Sequence, residues 1–303
     1  MNNDEFKIIE LPDGMWAVSW PEWKPVRDMV TALKLFDMVR KINTSVEVGF
    51  GIELVSTKET KDWLLNQGVI LNHMGQSPNI PIHVLRFLSI YDYLHYHWDL
   101  YKYVVTTDVK DVIFQTNPFT YLDNYLMKNK KIIAASEGMY YKDEPWGNDN
   151  LWQAYGTYIY DLFSHNEIYN VGVVGGHSEY VADLMFNIFS NATNRPIPIC
   201  DQAVYNVLIN TQPYKDIVQF QPHDSGWAIQ AGTTVDPSKI NEFRPKLVCK
   251  DPTFEDGYFL NLPGNPASKF AIVHQYDRVP QWKKFVQEKY GQDDDSQYFI
   301  YRT

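Results

Sequence analysis

Cysteine is nearly absent. Cys200 and Cys249 are the only two in 303 residues, too few for a disulfide framework and short of a four-ligand zinc site. They read as two buried thiols of a reducing compartment, with a single bridge as the alternative. Long hydrophobic runs are missing too. No stretch approaches the roughly 20 apolar residues that span a bilayer, and the opening MNNDEFKIIELPDG is too polar and acidic for a secretory leader. These features point to a cytoplasmic protein. Positive charge is in deficit: 27 Lys and Arg against 37 Asp and Glu give a net charge of −10. That balance argues against nucleic acid or an anionic membrane as a partner. The phosphate loop GxxxxGK[ST] and the dinucleotide fingerprint GxGxxG do not occur, nor does any internal repeat or low-complexity linker.

Aromatic residues are plentiful, with 21 Tyr, 16 Phe and 9 Trp. Their flat apolar faces and polar edges suit sugar rings, but simple packing accounts for most of them. Apolar patterning alternates strand and helix. Short β-like runs fall at 16–20, 46–54, 69–71, 103–107, 131–135, 169–176 and 270–274. Helical periodicity falls at 26–42, 58–66, 82–95, 119–127 and 180–189, and another helix opens at Asp201. This rhythm predicts an α/β fold, a mainly parallel central sheet flanked by helices in one continuous unit. Ligands of such sheets bind beyond the carboxyl ends of the strands.

Chemistry concentrates at one of those ends. The apolar strand Tyr103-Val104-Val105-Thr106-Thr107 runs into Asp108 and Asp111, followed by Val112-Ile113-Phe114 and a turn at Asn117-Pro118. Acids at the end of a buried strand need a partner, and a cation is one. Carboxylate oxygens suit Mg2+ or Mn2+, ions that commonly hold a diphosphate. A strand that simply emerges into water with two solvated acids is the plainer reading.

Strand–Asp-x-x-Asp–apolar–Asn-Pro-Phe resembles the metal motif of GT-A-fold glycosyltransferases, whose usual form is Asp-x-Asp before a Pro. Asp111 matches the last Asp by its distance to Pro118; Val109 stands at the first, and Asp108 is one residue earlier. Further blocks resemble the same family in the same order. Asn170-Val171-Gly172-Val173-Val174-Gly175-Gly176 is similar to the Asn-x-Gly-x-x-Gly-Gly segment that lies against the sugars, and is otherwise an ordinary strand-to-helix turn. Asp201-Gln202 is similar to an Asp-Gln element whose Asp faces the donor sugar, and is otherwise a helix N-cap. Ala271-Ile272-Val273-His274-Gln275-Tyr276-Asp277-Arg278 is similar to the segment that brings a His to the metal, and is otherwise a structural His with a surface ion pair.

The resemblance implies a single GT-A domain over 1–303, with a nucleotide-binding half at about 14–135 and a donor-sugar and acceptor half at about 136–290. It implies transfer of a sugar from a nucleoside-diphosphate sugar, UDP-sugar favoured, to a hydroxyl of a glycan or glycoprotein. Asp108, Asp111 and His274 are then the ligands of Mn2+ or Mg2+. Arg86, Asp108, Asn170, Gly172, Gly175, Gln202 and Arg278 are donor-binding residues, with Arg86 reaching the nucleotide and Arg278 the diphosphate. Asp201 is the first candidate for the catalytic carboxylate and Asp224 the second. Two readings from other classes remain: a carbohydrate-binding protein without catalysis, and a metal-dependent phosphotransferase or phosphohydrolase.

Overall fold

The computed structural model describes the backbone of residues 3–11, 14–22, 47–51, 69–72, 77, 79–108, 111–234, 238, 240–248 and 253–290, and side chains for most of those from 77 onward. The helices expected at 26–42 and 58–66 lie outside the described residues, as does Cys249. Cys200 is buried with a free thiol.

Thirteen strands are described. The central sheet holds eight, in the order β4-β3-β1-β2-β5-β8-β7-β9. Its members are β1 (Asn3–Leu11), β2 (Gly14–Glu22), β3 (Glu47–Gly51), β4 (Val69–Asn72), β5 (Tyr103–Asp108), β7 (Ile132–Tyr140), β8 (Glu167–His177) and β9 (Val218–Gln221). A smaller sheet runs β10-β13-β6, from β10 (Ala228–Gln230), β13 (Ile272–His274) and β6 (Val112–Phe114). β11 (Thr253–Glu255) and β12 (Tyr258–Leu260) form a hairpin. The α/β class with a helix-flanked central sheet is the one the sequence predicts. Strand directions are mixed. β3–β4, β2–β5 and β7–β9 are parallel. The β1–β2 hairpin, β1–β3 and both ladders of β8 are antiparallel. The polar-looking start of the chain thus forms a nine-residue strand, Asn3–Leu11.

Six longer helices cover or abut the sheets: α1 (Ile82–His97), α2 (Pro118–Tyr125), α3 (Pro145–Phe163), α4 (Ser178–Ala192), α5 (Asp201–Ile209) and α6 (Pro280–Tyr290). Local signals set their starts. Pro118 occupies the first turn of α2, where a missing N–H costs nothing, and the Asn117 side chain accepts from the Phe119 N–H at 2.9 Å. Among the described residues, no helix is long and apolar enough to cross a membrane.

The period-2 side chains of β5 divide the molecule. Val104 joins Ile132, Ala134 and Val174 under α1, α4 and α5. Tyr103 and Val105 face the small sheet, with Ile133, Ala135, Val173, Trp227 and Ile272. Val104 and Val105 are both 0 % exposed, so each contributes on the order of 1.5–3 kcal/mol of burial. β5 is therefore clamped on both faces, and its carboxyl end is held where two apolar layers meet.

One buried amide ties α5 to β8. Asn206 donates to the Tyr169 carbonyl at 2.7 Å and to the Gln202 carbonyl at 2.8 Å, and accepts from the Tyr169 N–H at 2.8 Å. It serves the Tyr169 backbone as a neighbouring strand would, beside the register shift where β7 pairs Ser136 with Tyr169. Asn206→Leu strands both Tyr169 backbone groups, and it should lower the unfolding free energy by about 2–4 kcal/mol in urea titration. A change within a few tenths of a kcal/mol would show that water replaces the amide freely.

Candidate metal site

Two sheets deliver the acids. Asp108 is the last residue of β5. Asp111 directly precedes β6, and β6 pairs antiparallel with β13, so Val112 lies opposite His274. The Gln275 N–H closes the ladder onto the Asp111 carbonyl at 2.8 Å. His274 Nε2 stands 3.4 Å from Asp108 Oδ2 and 3.5 Å from Asp111 Oδ1. One ligand atom from each of Asp108, Asp111 and His274 lies within 4.8 Å of the others, which makes them a group able to hold a divalent metal ion. The plainer expectation of two solvated acids does not describe Asp111, which is buried at 8 % exposure.

The surroundings are built around that cluster. Gln230 pairs with His274 in the parallel β10–β13 ladder. Its side-chain oxygen lies 2.6 Å from His274 Nδ1, so Nδ1 carries the proton and Nε2 faces the acids. Burial opposes charge on His274, but the carboxylates of Asp111 and Asp108 outweigh it and raise its pKa to about 10. Asp108 is held well below the usual carboxylate range: burial would raise it, and Arg86 and His274 overcome that.

Gly172 forms the floor. It lies one step beyond the last pair of the antiparallel β5–β8 ladder, Thr107 with Val173, as Asp108 does on β5. A Cβ there would sit 2.7 Å from His274 Cε1 and 2.8 Å from both Asp108 Oδ2 and Asn170 Oδ1. Only a glycine leaves the acids and the imidazole this close. Carboxylate and imidazole donors with that clearance fit a divalent metal ion.

Arg86 is a buried fork. From α1 its guanidinium reaches Asp108 Oδ1 at 2.6 Å and Asp201 Oδ2 at 2.9 Å. Burial disfavours its charge, but the two carboxylates raise its pKa above the ordinary arginine value. Asp201 begins α5 one residue past the N-cap, which is Cys200, and its carboxylate is spent on Arg86 instead of capping. Arg278, 55 % exposed, lies 3.9 Å from Asp111 Oδ2 and 3.6 Å from Asp277 Oδ1, so its cation stands at the open side of the acids.

Asn170 and Gln202 meet on Glu137, a residue sequence reasoning missed. Asn170 Nδ2 and Gln202 Nε2 donate to Glu137 Oε1 at 2.7 and 3.1 Å, and Asn170 Oδ1 accepts the Gly172 N–H at 2.7 Å. Burial first, with Glu144 adding to it, pushes the Glu137 pKa up to about 7 against the two amides and His274. Gln230 was missed as well. No motif marks either residue, since an isolated Glu or Gln near a strand end is ordinary sequence. Two expected residues are not brought to the cluster. Gly175 pairs with Val105 and Ile133 inside the central sheet, and a Cβ there would meet Trp227 at 3.0 Å and Ile133 at 3.1 Å. Its smallness therefore serves core packing. Asp224 lies in the half-buried turn after β9, outside the three-residue cluster.

No protein-family model matches this chain, and no curated protein sequence matches it. Among solved structures it is similar to mouse xyloside xylosyltransferase 1 in its apo form, at 12 % identity over 73 % of this chain and 82 % of that one, with a TM-score of 0.42. It is also similar to a glycosyltransferase involved in glycosylation of the major capsid of PBCV-1, at 10 % identity over 84 % and 93 % of the two chains, with a TM-score of 0.41.

Two measurements probe this geometry. Gly172→Ala should weaken Mn2+ binding by about tenfold or more in calorimetry, because the new methyl occupies the space between His274 and Asp108; unchanged affinity would mean the cluster is not the ion site. The folded state keeps a proton on Glu137 up to pH about 7, whereas the reference carboxyl loses it near 4.5. Stability from this group is therefore full below pH 4.5 and falls as pH rises through about 7, by a few kcal/mol at most. Glu137→Gln should flatten that part of the urea-stability profile, and a profile parallel to wild type would rule the assignment out.

Proposed function

We propose that this protein is a metal-dependent glycosyltransferase of GT-A type, moving a sugar from a nucleoside-diphosphate sugar, UDP-sugar favoured, to a hydroxyl of a glycan or glycoprotein. The convergence of Asp108, Asp111 and His274 at a strand end, beside a buried Arg86–Asp201 pair, carries this reading. Asp108, Asp111 and His274 would hold Mn2+ or Mg2+, whose charge neutralises a departing diphosphate.

The remaining roles belong to the chain. The exposed guanidinium of Arg278 suits the diphosphate oxygens, which it can meet in fork geometry. Arg86, engaged by two carboxylates, holds Asp108 and Asp201 in place. This favours a positioning role for it over direct contact with the nucleotide. Asp201, Asn170 and Gln202 face the donor sugar, and Gly172 gives it close approach. In the reaction an acceptor hydroxyl oxygen bonds to the anomeric carbon as that carbon's bond to the diphosphate oxygen breaks. The diphosphate leaves with the bonding pair. The hydroxyl proton passes to a carboxylate or to the leaving group. Asp201 is the first choice for that carboxylate and Asp224 the second. The nucleotide half at about 14–135 and the sugar half at about 136–290 would meet within β7.

Calorimetry with UDP in Mn2+ and in EDTA tests the metal requirement. Binding should appear only with Mn2+, and equal affinity in both would overturn the metal assignment. With UDP-sugars, Asp111→Asn should abolish turnover while the melting temperature stays near wild type. Asp201→Asn should cut kcat by roughly 10²-fold or more with UDP binding nearly unchanged. Parallel loss of UDP binding would move Asp201 into the nucleotide or metal shell.

A further inference from the structure

Glu137 is 4 % exposed and lies where β7 departs from regular pairing with β8, between Ser136 and Tyr140. The irregularity is specified locally. Gly138 takes φ 72°, and its N–H donates to Ser136 Oγ at 2.8 Å. Bulges of this kind re-aim a side chain, here into the space between β8 and α5. Burying a carboxylate there is costly unless its oxygens are used. One of them, Oε1, receives both Asn170 Nδ2 and Gln202 Nε2.

That convergence fixes the direction of both amides. A side-chain amide has one donor end and one acceptor end, and an acceptor that takes its NH2 forces its carbonyl oxygen the other way. For Asn170 the oxygen is taken by the Gly172 N–H. Gln202 is half-buried and adjoins Asp201, and its carbonyl oxygen is left to face outward from Glu137. Glu137 thus couples three backbone elements, β7, β8 and α5, at one atom.

We propose that Glu137 is the positioning residue of the sugar subsite, locking Gln202 so that its carbonyl oxygen accepts a hydrogen bond from a donor-sugar hydroxyl, and locking Asn170 against Gly172. The proposal rests on the glycosyltransferase reading above. It assigns the subsite a chemical preference: a hydroxyl donor at the position facing Gln202. What matters is an acceptor atom at the reach of a glutamate side chain, so a neutral carbonyl there serves and a shorter carboxylate does not.

Four variants separate this from a merely structural role. Binding of UDP, and of UDP-glucose, UDP-galactose and UDP-xylose, is measured by calorimetry in Mn2+ for wild type, Glu137→Gln, Glu137→Asp, Glu137→Met and Gln202→Met. For the tightest-binding UDP-sugar, the affinity gained over UDP should fall about tenfold in Glu137→Asp, Glu137→Met and Gln202→Met, the scale of one or two lost hydrogen bonds. It should be kept in Glu137→Gln, and UDP affinity should stay within about twofold in all. If Glu137→Met does not melt cooperatively, the contrast between Glu137→Gln and Glu137→Asp decides. Retained sugar discrimination in Glu137→Asp, or its loss in Glu137→Gln, overturns the proposal. So does a loss of UDP and UDP-sugar binding in step. A wild-type protein that binds no UDP species overturns the glycosyltransferase reading, and this inference with it.

Discussion

Three carboxylates crowd the end of β5, and the site exists only because they are balanced. Asp108, Asp111 and Asp201 converge from β5, β6 and α5, with Asp111 and Asp201 buried. Arg86 answers Asp108 and Asp201 at 2.6 and 2.9 Å, while His274 stands between Asp108 and Asp111. Removing Arg86 would leave Asp201 as an uncompensated buried charge, which costs more than the intact pair contributes. Arg86 therefore does two things with one guanidinium. It keeps Asp108 from being repelled by Asp201, and it sets the distance between α1, β5 and α5.

Around that charge balance the backbone supplies position and the amides supply direction. Adjacent strands β10, β13 and β6 set Gln230 level with His274 and Val112 opposite it, and the Gln275 N–H bond to the Asp111 carbonyl holds Asp111 one residue further on, so their spacing follows a sheet ladder and not flexible loops. Gly172 removes the one Cβ that would block the approach of β5 to β13. Gln230 orients the imidazole, and Glu137 orients Asn170 and Gln202. A site whose polar groups are each held by a further hydrogen bond loses little entropy when a ligand arrives.

Much of this was legible residue by residue. The apolar runs of β5, β8 and β13 and the periodicity of α1 placed those elements within a few residues, because burial on a sheet face or helix stripe writes a local pattern. Asp108, Asp111 and His274 stood out because polar atoms at the ends of buried strands are conspicuous. Pairing directions were not legible. β8 runs against both of its neighbours although its sequence reads like any buried strand, since an apolar run carries no information about strand direction. Gly175 and Gly172 look alike in sequence. One is packed beneath Trp227 and the other lies against the acids, because they sit three residues apart on the same strand.

The sequence by itself determined the alternation of strands and helices, the acids at the β5 terminus, and the histidine that follows a distant strand. These are consequences of local hydrophobic period and of the cost of burying charge. Only the tertiary structure decided that Arg86 reaches Asp201 across 115 positions of chain and joins it to Asp108, that Gln230 backs His274, and that Glu137 gathers two amides on one oxygen. A single arginine, glutamine or glutamate has no local signature. Its partner is chosen by which strands become neighbours, and that choice is made by packing of the whole chain.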